Sequence, residues 1–195
     1  GLVGSEMCIR DSIYPDGVSQ HTAVDVPELT DVLCGASRPG HFRGVTTVVS
    51  KLLGIVRPHV AAFGAKDLQQ VLVIKKMVRD LSINTEIEVV PTVRESDGLA
   101  MSSRNGYLSH DDRALAPLFS LTLEETAKRV AESGSDIETA IAESKATLTE
   151  AGFIVDYLEA RRTHDLSAAS SLNQETAIFG AVFLGTTRLI DNRII

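Results

Sequence analysis

The chain has 195 residues, 44% of them hydrophobic and 23% charged, which is enough for one large domain or two small ones around a sizeable core. Its 19 Lys and Arg stand against 26 Asp and Glu, a formal net charge of -7, so the basic field that duplex DNA or tRNA binding needs is lacking and no nucleic-acid partner is expected. The longest nearly apolar run, Ala177–Leu184, falls far short of the roughly 20 residues of a membrane-spanning helix, so no membrane partner is expected.

Residues 1–12, GLVGSEMCIRDS, show neither the regions of a signal peptide nor a helical or strand period, and are set aside as an unplaced tail that need not be native. Cys8 and Cys34 have no CxxC spacing and no His or Cys neighbours at zinc-finger spacing, so both read as free thiols in a reducing cytosol. After a turn at Pro15-Asp16-Gly17, His21–Val26 alternates as a short strand closed by Pro27. A compact loop follows at Gly35–His41. Val45, Val48, Val49, Leu52, Leu53 and Val56 then form an apolar stripe on a helix that ends before Pro58.

Val60–Phe63 is a short apolar run between a proline and a glycine, which suits a strand buried on both faces of a parallel sheet. Asp67 opens a second helix with Leu68, Val71, Leu72 and Val78 on one side, and Glu86–Val90 reads as the next strand. This alternation predicts an α/β fold with a doubly wound sheet. Past Pro91 the style changes: Arg94–Gly106 is polar and glycine-punctuated, Ser109 with Asp112 starts a long helix through about Glu132, and Ser135 with Glu138 starts one ending near Gly152. Phe153–Ala160 and Ala177–Leu184 read as strands. A separate α+β unit beginning near Thr92 is therefore expected, which divides the chain into 13–92 and 93–195.

Three segments could carry chemistry. Gly64-Ala65-Lys66-Asp67 lies after a strand and at a helix start, where ligands of open α/β sheets bind and free N–H groups favour anions. Lys66 could meet a phosphate there, or be a solvated turn lysine beside an Asp67 cap completed by Gln70. Met101-Ser102-Ser103-Arg104-Asn105, between Gly98 and Gly106, offers two hydroxyls and a guanidinium fork to phosphate oxygens, or is an ordinary polar turn. Arg38-Pro-Gly-His41-Phe-Arg43-Gly44 brings two arginines and a histidine to a helix start. It has His and Phe where a P-loop needs Lys and Ser or Thr, so that reading is rejected. No HExxH, GxSxG or GxGxxG occurs, and no metal site is expected.

Taken together, Gly35-Ala-Ser-Arg-Pro-Gly-His-Phe-Arg-Gly-Val45, Phe63-Gly-Ala-Lys-Asp-Leu-Gln-Gln70, Val90-Pro-Thr-Val-Arg94, Asp97-Gly-Leu-Ala-Met-Ser-Ser-Arg-Asn-Gly-Tyr-Leu108 and Arg188-Leu-Ile-Asp-Asn192 closely resemble the pantothenate synthetase family, the pantoate-beta-alanine ligases. The resemblance runs from about Ile13 to the end. It implies the C-terminal part of a Rossmann-like nucleotidylyltransferase domain (13–92) followed by a smaller α+β lid domain (93–195). It implies ATP-dependent adenylation of pantoate, with pyrophosphate released, then attack by the amine of beta-alanine to give pantothenate and AMP. Gly64, Ala65, Lys66 and Asp67 would line the ATP site with Lys66 on the phosphates, and Gln70 would hydrogen-bond pantoate. Val93 would touch the adenine side through its backbone. Met101, Ser102, Ser103 and Arg104 would be the counterpart of the KMSKS loop, so that Lys66, Ser102, Ser103 and Arg104 carry the chemistry. Arg38 would support the site.

The resemblance further implies Mg2+ carried with the phosphates, a cytoplasmic location and a homodimer. Ala65 stands where many members have Glu. Members also carry a Pro-Thr-Met-Gly strand end and a His-x-Gly-His motif ahead of the matching region, and neither occurs in these 195 residues. Two expectations therefore stand side by side: an acid-amine ligase, or a catalytically inactive fragment or nucleotide-binding remnant of one. A tRNA synthetase piece is disfavoured by the acidic charge and by Gln70.

Overall fold

The computed structural model describes residues 13–15, 17, 21–133 and 136–195. Its helices are α1 (Cys34–Ser37), α2 (His41–Val56), α3 (Leu68–Asp80), α4 (His110–Leu115), α5 (Pro117–Ser133) and α6 (Ile137–Glu150). Its strands are β1 (Val60–Gly64), β2 (Glu86–Val90), β3 (Ile154–Arg162), β4 (Thr176–Leu184) and β5 (Thr187–Ile194), with short 3-10 turns at Ala65–Asp67 and Ser103–Tyr107.

β1, α3 and β2 form the expected unit: β1 pairs parallel to β2 from Val60 opposite Glu86 to Gly64 opposite Val90, and α3 is the crossover. α3 buries Leu68, Val71, Val73, Ile74, Met77 and Val78. β1 departs from the expectation of two buried faces. Ala61 and Phe63 pack on the core, whereas Val60 and Ala62 face outward, because one face of this two-stranded sheet is covered and the other is open among the described residues.

The strand buried on both faces is β4. It is the centre of an antiparallel sheet ordered β3-β4-β5. Side chains of a strand alternate between faces, and here each face meets a different core. Ile178 and Val182 join Leu158 and Leu189 against Phe119, Leu123 and Ala127 of α5 and Ala140 and Leu148 of α6. Ala177, Phe179 and Ala181 join Tyr157 on the other face, against Val26, Leu33, Phe42, Leu53 and the apolar side of α3. The sheet of the second half is thus also the wall on which the first half packs.

Other expectations are corrected. His21–Val26 forms no strand: the Val24 N–H donates to the Thr47 hydroxyl at 2.9 Å and the Val24 carbonyl accepts from Thr46 at 2.6 Å, so its backbone partners are side chains of α2. α2 extends from His41 to Val56 as a helix, but Leu52 and Val56 are exposed. Thr46 and Thr47 are buried instead, because their hydroxyls are satisfied by the carbonyls of Phe42, Arg43 and Val24. Of the expected turn at Pro15-Asp16-Gly17, Asp16 lies outside the described residues, and the Gly17 N–H donates to Tyr14 O at 3.0 Å.

The helix opened by Ser109 is capped as expected, its hydroxyl accepting from the Asp112 N–H, but it stops at Leu115 and restarts at Pro117. Proline has no N–H to continue the ladder and is suited to a first helical turn, which divides the long helix into α4 and α5. Ser135 lies outside the described residues, and the cap of α6 is Asp136, which accepts from the Thr139 N–H at 2.9 Å. Asp67 stands at the start of α3 without a side-chain cap hydrogen bond, so the capping-box alternative for Asp67 and Gln70 is not realised. β5 had no counterpart in the sequence reading, since Asp191 and Asn192 interrupt its apolar pattern. Cys34 is a buried free thiol, and Cys8 lies outside the described residues. No helix among the described residues is long and apolar enough to cross a membrane.

Candidate active site

The carboxyl end of β1, the start of α2 and the inner face of β4–β5 enclose a cavity of about 190 Å3. Lys66, Asp67 and Gln70 reach it from the β1–α3 turn, Arg38 and His41 from the start of α2, and Arg104 from the loop ahead of α4. Phe179, Gly180 and Ile190 form its floor. An adjoining recess shares Lys66, Arg104 and Asp191 with it and adds Ser102 and Arg188. Three segments that are distant in the chain therefore deliver cations to one cleft.

Within the cleft the charges are incompletely paired. Among the described residues the carboxylate paired with Lys66 Nζ is the exposed Asp67, at 3.8 Å. Arg38 Nη1 lies 3.1 Å from His41 Nε2. A guanidinium only donates, so Nε2 accepts and the neutral ring carries its proton on Nδ1. Burial, then the positive charges of Arg38 and Arg104, lower the His41 pKa, and Asp67 opposes this only in part. Lys66, Arg38 and Arg104 around a neutral imidazole make a site for a polyanion.

The supports of these side chains explain why they converge. Gln69 is buried, donating to Leu29 O at 2.9 Å and Val32 O at 2.8 Å and accepting from the Cys34 N–H at 3.0 Å, so it pins the segment that leads to Arg38. Cys34 Sγ lies 3.0 Å from Tyr157 Oη, and burial followed by the neighbouring Cys34 raises the tyrosine pKa. Arg188 grips Asp156 at 2.7 and 3.0 Å, and Asp156 also accepts from Ser37, which ties α1 to β3.

The loop carrying Arg104 is equally held. Asn105 donates to Glu95 at 2.7 Å and to Ala100 O at 3.1 Å, and Arg113 bridges Glu95 and Asp97 at 2.6 Å each. The Met101 N–H donates to Val93 O at 2.9 Å, and Ser102 Oγ accepts from the Arg104 N–H at 3.2 Å. Arg94 anchors the loop base by donating to Gly98 O and gripping Asp191.

Of the residues singled out from sequence, Lys66, Asp67, Gln70, Arg38, Ser102 and Arg104 line the cleft or its recess. Gly64, Ala65, Val93, Met101 and Ser103 lie on the same two loops without lining either, and the Val93 and Met101 side chains are exposed. From sequence His41 and Gln69 carry no assigned role, Cys34 reads only as a free thiol, and nothing local marks Tyr157. Asp191 and Asn192 lay inside a quoted motif and were assigned nothing. Among the described residues no group of His, Cys, Asp and Glu side chains could hold a metal ion by itself.

A parallel βαβ unit with a cationic cleft at its carboxyl edge, closed by a second sheet, is the nucleotidylyltransferase type of α/β protein. A family model described as "Pantoate-beta-alanine ligase" matches residues 9–194, and the chain belongs to that family. It is 52% identical over 180 residues to the pantothenate synthetase of Shewanella oneidensis, an alignment covering 92% of this chain and 64% of that protein. To the pantothenate synthetase of Shewanella sp. MR-7 it is 53% identical over 194 residues, covering 98% and 69%. The crystal structure of pantothenate synthetase from Thermus thermophilus superposes with a TM-score of 0.87 at 41% identity, covering 94% of this chain and 66% of that one. The pantoate-beta-alanine ligase of Francisella tularensis, solved with beta-gamma ATP and beta-alanine, superposes with a TM-score of 0.73 at 36% identity, covering 94% and 61%. The chain thus spans about two thirds of the length of these relatives.

Proposed function

We propose that this chain carries the adenylate-forming and amide-forming site of a pantothenate synthetase: ATP activates pantoate, and beta-alanine takes the pantoyl group. The observation that carries this reading is the meeting of Lys66, Arg104 and Gln70, from separate parts of the family motifs, in one cleft.

In the first step a carboxylate oxygen of pantoate bonds to the α-phosphorus of ATP, and the bond from that phosphorus to the bridging oxygen breaks, releasing pyrophosphate. Negative charge builds on the phosphate oxygens, and Lys66 and Arg104 are positioned to stabilise it, with the Ser102 and Ser103 hydroxyls adding neutral donors. Gln70, whose side chain makes no hydrogen bond among the described residues, has its amide free for pantoate. In the second step the beta-alanine nitrogen bonds to the acyl carbon, the carbonyl-to-phosphate bond breaks, AMP leaves, and the nitrogen loses a proton. No protein nucleophile is needed; positioning and charge stabilisation are the protein's part.

Mg2+ would arrive on the triphosphate and neutralise phosphate charge there, since no cluster among the described residues holds it alone. Val93 and Met101 would border the adenine side, Gly64 and Ala65 the phosphate turn, and Arg38 would support the phosphate end through its contact with His41. The family resemblance also supports a homodimer, a cytoplasmic location and units at 13–92 and 93–195.

The test is product analysis with pantoate, ATP, magnesium and labelled beta-alanine. Labelled pantothenate and AMP should appear in equal amounts, and Lys66→Ala or Arg104→Ala should lower kcat/KM by about 10²- to 10³-fold. ADP in place of AMP, or turnover indifferent to both substitutions, overturns the proposal.

A further inference from the structure

The β1–α3 turn that presents Lys66 has no cap of its own. Asp67 gives no side-chain cap hydrogen bond, and Ala65–Asp67 is a single 3-10 turn between β1 and α3. It is held from outside: Asn192 Nδ2 donates to Ala65 O at 2.8 Å and to Lys66 O at 2.9 Å. Asn192 is only 8% exposed and borders the same cleft as the Lys66 side chain. Its carbonyl partners are the two that fix the direction in which the Lys66 Cα–Cβ bond leaves the turn.

The adjacent residue holds the other loop. Asp191 takes the Arg94 guanidinium at 2.7 and 3.0 Å and the Ser120 hydroxyl at 2.6 Å, and Arg94 donates to Gly98 O at the base of the segment that carries Ser102 and Arg104. Neighbouring residues of a strand point to opposite faces, so one dipeptide of β5 grips both loops at once. β5 thus ties both loops to one strand, in addition to the bonds within the Arg104 loop itself.

We infer that Asn192 is a positioning residue for Lys66, and that with Asp191 it makes β5 the frame on which the two phosphate-facing loops are registered. The inference rests on the proposed role of Lys66 toward ATP. Donation by the amide is the active feature, since a carboxylate of the same shape would face two carbonyl oxygens with no hydrogen to give.

The experiment is titration of ATP with magnesium, by calorimetry, into the wild-type chain, Lys66→Ala, Asn192→Ala, Asn192→Asp and the double variant Lys66→Ala/Asn192→Ala, with hydrogen exchange followed across the chain. Both Asn192 variants should weaken ATP about tenfold, while the double variant should bind no more weakly than Lys66→Ala alone. Exchange should quicken in residues 64–68 while β3 and β4 keep their protection. Additive losses, wild-type affinity in Asn192→Asp, or protection lost throughout β3–β5 would each overturn the inference. If Lys66→Ala binds ATP as tightly as wild type, the phosphate role of Lys66 fails. The exchange at 64–68 in Asn192→Asp then decides separately whether Asn192 orders the turn.

Discussion

Arg94 and Asp191, 97 positions apart, form a two-pronged ion pair across the seam between the loop after β2 and strand β5. The Asp191 side chain is 1% exposed and also accepts from Ser120, with Arg193 at 3.5 Å. Removing one partner of a buried pair leaves an uncompensated charge, so Arg94→Ala should destabilise the fold by about 3 kcal/mol. Denaturant unfolding checks this, and a loss below about 1 kcal/mol would mean that Arg193 and Ser120 suffice to hold Asp191.

Adjacent glutamines have opposite roles. Gln69 is 5% exposed and satisfies three backbone groups of residues 29–34, so Gln69→Ala should cost about 2 to 4 kcal/mol and displace the segment leading to Arg38. Gln70 lines the cleft and spends no hydrogen bond on the fold, so Gln70→Ala should leave stability within about 0.5 kcal/mol of wild type while, on the proposed function, raising KM for pantoate. Paired melting and steady-state measurements separate the two, and equal melting losses would refute the division.

Stability should depend on pH through His41. Burial, reinforced by Arg38 and Arg104, lowers its folded pKa below the ordinary value near 6.5. Between the folded value and about 6.5 the unfolded chain binds more protons, so stability falls as pH drops through that window and this group changes it no further below. Replacing His41 with Gln should flatten unfolding free energy against pH just below about 6.5, and unchanged slopes would show that His41 is not the group responsible.

Three glycines should respond differently to alanine. A Cβ on Gly35 would stand 1.8 Å from Thr30 O, a backbone atom, so Gly35→Ala should cost at least about 3 kcal/mol. On Gly180 it would meet the buried Phe119 ring at 2.8 Å and Leu158 Cδ1 at 3.1 Å, which should cost about 1 to 3 kcal/mol. At Gly54, inside α2, nothing lies within 4 Å, and alanine should stabilise by up to about 1 kcal/mol. Thermal unfolding of the three variants would show this order or break it.

The βαβ unit was legible because its signals are local: an apolar run between Pro58 and Gly64, a helical period after Asp67 and alternation in Glu86–Val90. The motif residues of the two loops were legible in the same way, as glycine-punctuated polar segments beside elements of known period. β5 was not, because burial of Asp191 and Asn192 makes sense only beside Arg94, Ser120 and the carbonyls of Ala65 and Lys66. The break at Pro117 was readable in principle from the residue itself.

By itself the sequence determined the parallel unit, the helices of the second half and the segments able to carry an anion site, since periodicity and turn chemistry act over a few residues. Only the tertiary structure decided that β4, and not β1, is the strand buried on both faces. It also decided that Lys66, Arg104 and Arg38 share one cleft and that Gln69 serves the fold while Gln70 faces the cavity. Burial and charge pairing depend on residues far away in the chain, 127 positions in the hydrogen bond from Asn192 to Ala65, and no local pattern encodes which of them will meet.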